Sequence, residues 1–348
     1  LLTDDSTLKV ALIGYGFAGR TFHAPLLAAV PAVALAVVGS SDPSRVRADL
    51  PHARVVTDPI AAATDPDVDL VVIAAPNQAH VPLARAALRA GKHVVIDKPM
   101  APTLAEAREL VAEAERHGLL LSVFQNRRWD SDFLAVREAI GSGVIGEATH
   151  VESRIERFRP EVRARWREQA GPATGLWWDL GPHLVDQALE LLGRPDHVVA
   201  SLAVQREGGE ATDWAHVVLE CGERRAVLQA SMLAATPGAR FVVHGTRGSL
   251  VKQAADRQEA QLVEGLRPGE PGWGEDRDPL WIHEGGTARS MPVASGDQSR
   301  YYAAVAAAIL GAGGNPVPPR QALDVMAVLE AAQRSADEGR RVAPDYGD

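Results

Sequence analysis

Cysteine is almost missing: Cys221 is the one thiol in 348 residues. That excludes an intrachain disulfide and any zinc or iron–sulfur site built from several cysteines, and it fits a reducing compartment. Cys221 itself reads as a small apolar residue near a strand end. Basic charge is also short, with 36 Lys and Arg against 45 Asp and Glu and a formal net charge of −9. No stripe of Lys or Arg interleaved with aromatics is present, so nucleic acid is not an expected partner. Long apolar runs are missing too; Val68 to Ala75 stops far short of the roughly 20 residues a membrane span requires. The chain opens on Asp4 and Asp5 rather than on a basic stretch followed by an apolar one, so no signal peptide and no membrane association are expected. The expected location is the cytoplasm.

The composition that remains, 46% hydrophobic and 23% charged, is that of a folded protein able to bury sizeable cores. At this length two domains are the prior. The first third alternates short β-branched runs with Ala-rich helical periods, the pattern of consecutive βαβ units in a parallel, doubly wound α/β sheet. Strands are predicted at Leu8 to Ile13, Val33 to Gly39, Arg54 to Val56, Leu70 to Ala74, His93 to Asp97 and Leu119 to Phe124. The intervening helices are predicted at Phe17 to Val30, Pro43 to Leu50, Val81 to Ala90 and Thr103 to His117. After Gln125 the pattern changes. Alternating segments at Ala148 to Phe158, Val198 to Gln205, Ala215 to Cys221, Ala226 to Leu233 and Arg240 to His244 predict a large, mostly antiparallel sheet in an α+β domain. Helices are expected at Trp129 to Ile140, Gly181 to Leu192, Arg300 to Leu310 and Arg320 to Glu338, and Gly265 to Gly296 is expected to be mostly loop. The domains are therefore 1–125 and 126–348.

Gly14, Gly16 and Gly19 form G-x-G-x-x-G between the first strand and the first helix. The first glycine makes the turn, the second lets a pyrophosphate approach the backbone, and the third lets helix and strand pack closely. Free N–H groups at the helix start favour the anion. This context points to a dinucleotide. Gly14 to Thr21 also fits a phosphate-loop spacing, but Arg20 stands where Lys belongs and no acidic residue ends the Leu70 strand to hold magnesium, so an NTPase is rejected. The second strand ends in Ser40 and Ser41, followed by Arg45; two hydroxyls and a guanidinium suit a 2′-phosphate, so NADP is favoured. NAD is the alternative if Asp42, otherwise the N-cap of the helix begun by Pro43, serves as the ribose ligand.

Two more motifs lie at C-terminal strand ends, where open α/β sheets bind ligands: Pro76-Asn77 with His80, and Asp97-Lys98-Pro99. A Lys there could polarise a carbonyl or hydroxyl; the alternative is a solvated side chain in a turn, and position alone leaves both open. Asp179 and His183 stand at i and i+4 on a helix, so the carboxylate could orient the imidazole and stabilise its cation. A structural histidine is the alternative there. No His, Cys and carboxylate set has zinc spacing, so no metal is expected.

Together these stretches resemble the Gfo/Idh/MocA oxidoreductases: Val10 to Gly19, including Phe17 and Ala18; Ala75-Pro76-Asn77 with His80; Asp97-Lys98-Pro99; and Asp179 with Gly181 and His183. Within that family the run Asn126 to Phe133 and the Trp178-Asp179-Leu180-Gly181-Pro182-His183 form are most similar to the NADP-dependent scyllo-inositol dehydrogenase branch. The resemblance covers about Leu8 to Ala336. It implies an N-terminal Rossmann domain that holds the cofactor, with Lys98 and His183 performing the proton chemistry and Asp179 positioning His183 or a substrate hydroxyl. It also implies Trp166 and Arg127 in the nicotinamide or substrate pocket. Two departures stand out: Asp97 replaces the usual Glu before Lys-Pro, and Thr174-Gly175 replaces a glycine triplet. The expected reaction is reversible hydride transfer between nicotinamide and a secondary carbinol carbon of a polyol, cyclitol or sugar. The rivals are an NAD-preferring aldose or imine reductase and a catalytically silent dinucleotide-binding regulator. By the same likeness, the free face of the second-domain sheet is expected to pair subunits into a homodimer or homotetramer.

Overall fold

The computed structural model describes residues 7–347; Asp4 and Asp5 lie outside them. The chain forms two units. The first runs to Asn126 and also takes Gln258–Trp273 and Asp297–Ala322; the second holds Arg127–Arg257, Gly274–Gly296 and the chain from Leu323 onward. A single boundary near residue 125 therefore marks only the first crossing, because two later segments return to the first unit.

In the first unit β1 (Leu8–Ile13), α1 (Ala24–Ala28), β2 (Val33–Gly39), α2 (Pro43–Asp49), β3 (Arg54–Val56), α3 (Pro59–Ala63), β4 (Leu70–Ile73), α4 (Asn77–Arg89), β5 (His93–Ile96), α5 (Leu104–His117) and β6 (Leu121–Val123) follow one another. All six strands pair in parallel in the order β3-β2-β1-β4-β5-β6, the doubly wound arrangement. Every residue of β4 is buried, which accounts for its unbroken apolar run. Thr103 caps α5 by accepting the Glu106 N–H, and Gly118 closes it at φ 64°. The first helix is interrupted: Gly19–His23 is a π-helical turn feeding α1.

In the second unit α6 (Ser131–Gly141), β7 (Ala148–Glu156), α7 (Gly175–Leu192), β8 (His197–Ala203), β9 (Trp214–Cys221), β10 (Arg224–Ser231), β11 (Phe241–Gly245) and β12 (Ser249–Lys252) come first. Two helices of the first unit intervene in the chain, α8 (Gln258–Glu264) before and α9 (Ser299–Ile309) after the hairpin β13 (Leu280–Glu284) and β14 (Thr287–Met291); α10 (Pro319–Glu338) closes the order. The sheet order is β14-β13-β12-β11-β7-β10-β9-β8. Every pair is antiparallel except β7 with β10, and α7 packs across β7, β9 and β10. Gly265 to Gly296 is mostly loop, as expected, and adds one short hairpin, β13 with β14, that was not predicted. Two helices begin earlier than predicted, α4 at Asn77 and α7 at Gly175, so Asn77 and His80 lie within a helix rather than ahead of it, and Asp179 stands well inside α7 on the same helix as His183. No helix among the described residues is long and apolar enough to cross a membrane.

Candidate cofactor and substrate sites

The three loop glycines do three different things. Gly14 has φ +96°, and a Cβ there would lie 2.5 Å from the Ala74 carbonyl oxygen, so the turn out of β1 requires glycine. A Cβ on buried Gly19 would overlap the Gly14 carbonyl, which makes this residue the packing point of helix on strand. Gly16 differs: a Cβ there would meet nothing within 4 Å. Its missing side chain therefore relieves no internal clash and keeps an exposed backbone open to approach, as a dinucleotide pyrophosphate needs. Phe17, largely exposed, packs edge-on to Phe22, and Ala18 is already helical. The Arg20 guanidinium is committed to Asp49 through bonds of 2.6 and 3.0 Å, and the Tyr15 hydroxyl lies 3.3 Å from the same carboxylate. That bond from Arg20 holds the Asp49 carboxyl below the usual range, while burial and then the Asp49 charge push Tyr15 up to about 12.

At the end of β2, Asp42 caps α2: its Oδ1 accepts the Arg45 N–H at 3.1 Å, and its Oδ2 lies 3.3 Å from the Arg45 guanidinium. Ser40 Oγ accepts the Asp42 N–H at 3.1 Å, and Ser41 is exposed beside it. The carboxylate thus serves the helix start, with both hydroxyls and the guanidinium gathered at the same strand end.

At the ends of β4 and β5, Asn77 is the buried first residue of α4 behind Pro76. The buried His80 ring reaches Ala75 O and Pro99 O, each at 2.9 Å, so it braces one strand-end turn against the other. The Lys98–Pro99 peptide bond is cis. Buried Asp97 accepts the Lys98 backbone N–H at 2.8 Å, and Lys98 itself is half-buried. Behind Asp97 stands His23, with Nε2 at 3.8 Å from Oδ2.

In the second unit Asp179 and His183 lie one turn apart on α7, the first half-exposed and the second buried. Asp179 Oδ1 is 3.6 Å from Nε of Arg167, whose guanidinium lies over the Trp166 ring at 4.6 Å. Arg167 was not among the expected residues. Buried Arg206 braces this segment, meeting Asp213 at 2.9 Å, Glu168 at 3.1 Å and the carbonyls of Arg159 and Glu161 at 3.3 and 3.2 Å. Arg127 pairs with Asp130 at 3.0 Å, and its carbonyl accepts from Gln187, one turn beyond His183. Gln187 also accepts from Arg240 at 2.6 Å; this fully buried guanidinium, depressed by burial, is held by Asp132 and Ser153. No group of three or more His, Cys, Asp or Glu among the described residues is arranged to hold a metal ion.

Comparison with known proteins agrees with the two-domain architecture. Residues 8–125 match the model of the oxidoreductase family's NAD-binding Rossmann fold, and residues 137–343 match that of its C-terminal alpha/beta domain. The chain is 49% identical to the oxidoreductase YdgJ of Escherichia coli over 94% of its length and 96% of that protein. It is 36% identical to the scyllo-inositol 2-dehydrogenase (NADP(+)) IolW of Bacillus subtilis, over 98% of this chain and 97% of the relative. An oxidoreductase crystal structure from Klebsiella pneumoniae superposes with a TM-score of 0.93 at 51% identity, covering 98% of this chain and 96% of the other. The chain belongs to the Gfo/Idh/MocA family of NAD(P)-dependent oxidoreductases.

Proposed function

We propose that the protein oxidises and reduces a secondary alcohol carbon of a cyclitol or sugar, scyllo-inositol or a close stereoisomer, with NADP as its cofactor. The observation that carries this reading is the half-buried Lys98 on the strand-end turn of the same sheet whose glycine loop leaves open backbone at Gly16. The relative named for scyllo-inositol and NADP supports it across nearly the whole chain. When bound, the nicotinamide supplies the hydride acceptor or donor. The chain's own residues do the rest. Gly14, Gly16, Phe17, Ala18 and Gly19 receive the pyrophosphate, and Ser40, Ser41 and Arg45 receive the 2′-phosphate. Pro76, Asn77 and Asp97 shape the strand ends, with His80 bracing them from behind. In the oxidative direction His183 accepts the hydroxyl proton, Lys98 stabilises the alkoxide oxygen, and Asp179 steadies the imidazole or an adjacent hydroxyl. Arg127 and Trp166 hold the ring of the substrate.

The test is a steady-state panel of inositols, aldoses and imines, each with NADP and NAD. Highest kcat/KM for an inositol with NADP is expected. Preference for an aldose or imine with NAD would replace this reading, and binding without turnover on any substrate would make the protein a dinucleotide-responsive regulator.

A further inference from the structure

His23 is wholly buried and closes the π-helical turn that follows the glycine loop, a helix irregularity often found at functional sites. Its Nδ1 lies 2.5 Å from the hydroxyl oxygen of Tyr302, itself fully buried in α9. Burial, reinforced by the neighbouring Tyr301 and Asp97, pushes the Tyr302 hydroxyl well above its ordinary value, so it keeps its proton and is able to serve as the donor to Nδ1. With the hydroxyl as donor to Nδ1, the ring hydrogen belongs on Nε2. Nε2 has no hydrogen-bond partner and faces Asp97 Oδ2 at 3.8 Å, too far for a bond but close enough for charge and dipole to attract. Natural cores rarely bury a donor this way. Phe124 walls the group off, its ring 4.3 Å from His23 and stacked at 5.5 Å on Tyr302. The other Asp97 oxygen accepts the backbone N–H of Lys98 at 2.8 Å.

We propose that His23 is a positioning residue for Lys98: Tyr302 sets its tautomer, its Nε2–H holds the Asp97 carboxylate, and that carboxylate fixes the backbone from which the Lys98 ammonium is presented. This rests on the role given to Lys98 above. A core histidine with only a packing role would not need its tautomer set, nor an acid within reach of the ring.

The experiment compares His23→Leu, His23→Gln and Tyr302→Phe in the full chain by two readouts. One is kcat and KM with NADPH and the substrate found active. The other is amide hydrogen exchange at Lys98 in the protein without cofactor, which is well isolated because Pro99 has no N–H. His23→Leu is expected to lose about ten- to a hundredfold in kcat with KM for NADPH nearly unchanged, the scale of a misplaced catalytic group, and to exchange the Lys98 amide several-fold faster. His23→Gln, which restores a side-chain donor toward Asp97, should recover much of both. Tyr302→Phe keeps the ring packing and should fall between, so the test survives if His23→Leu does not fold. Wild-type kcat together with unchanged exchange at Lys98 in Tyr302→Phe, and in His23→Leu where it folds, would overturn the proposal. Full activity of Lys98→Ala would instead overturn the role of Lys98, and the exchange measurement, which needs no turnover, would still decide whether His23 holds the Lys98 backbone.

Discussion

Gly16 and Gly14 stand two residues apart in one loop and should respond oppositely to the same substitution. A methyl at Gly16 enters open space, so Gly16→Ala should leave the thermal midpoint unchanged while weakening NADPH binding about tenfold, as read by fluorescence titration. A methyl at Gly14 meets the Ala74 carbonyl at a backbone angle L-residues avoid, so Gly14→Ala should cost stability, about 1–3 kcal/mol in urea unfolding. Equal losses of binding and stability in both variants would refute the distinction. These roles were legible in the sequence because each follows from spacing along one turn. The hydrogen bond of His23 to Tyr302 was not, since it joins residues 279 positions apart, and neither was the Asp132–Arg240–Gln187 network, whose members are matched only once α6, α7 and β11 pack.

The strands of the first unit were readable nearly to the residue, because parallel strands covered on both faces are continuous apolar runs bounded by turns. The misses have physical causes. β14 is exposed along almost its whole length and carries no apolar alternation to recognise. α3 is five residues long, too short for a helical period, and was marked only by the Asp58-Pro59 start that caps it. α7 was predicted to start at Gly181 but begins at Gly175, and the Gly181-Pro182 pair lies inside it. In the fold Gly181 is instead a packing site: a Cβ would sit 2.9 Å from the Trp177 ring and 3.0 Å from Leu329. Gly181→Ala should therefore destabilise the second unit by about 1–3 kcal/mol despite its better helix propensity. A gain in thermal midpoint would contradict that packing. Between α4 and α5, buried Glu113 is held by Arg85 at 3.0 Å and Arg89 at 2.7 Å. Burial raises its carboxyl, but the bonds from Arg89 and Arg85 outweigh this and leave it below its ordinary value. The unfolded chain then binds the proton more readily, so the stabilisation is complete above an unfolded pKa of about 4.3 and is lost as pH falls through the folded value. Glu113→Gln should lose less stability than the wild type between neutral pH and about pH 3; equal losses would remove this pair from the acid response.

At the scale of the whole molecule, both architectures could be foreseen, but the return of Gln258–Trp273 and Asp297–Ala322 to the first unit could not, because nothing local in a helix such as α9 says which sheet it serves. The eight-stranded sheet packs α7 on one face, and along β9 Ala215, Val217 and Leu219 are buried while Trp214, His216 and Val218 on the alternate positions are only partly covered. With exposed Val199 on β8, that second face is where we propose that a second copy of the chain packs, and light scattering at micromolar concentration should report a dimer or tetramer. A monomer would count against it. The proposed function assigns the proton chemistry to two side chains, Lys98 and His183. Turnover of scyllo-inositol with NADP, followed by the absorbance of reduced nicotinamide, should fall about 10²- to 10⁴-fold in Lys98→Ala and again in His183→Ala, with NADPH still bound by both variants. Wild-type rates in both variants would contradict it.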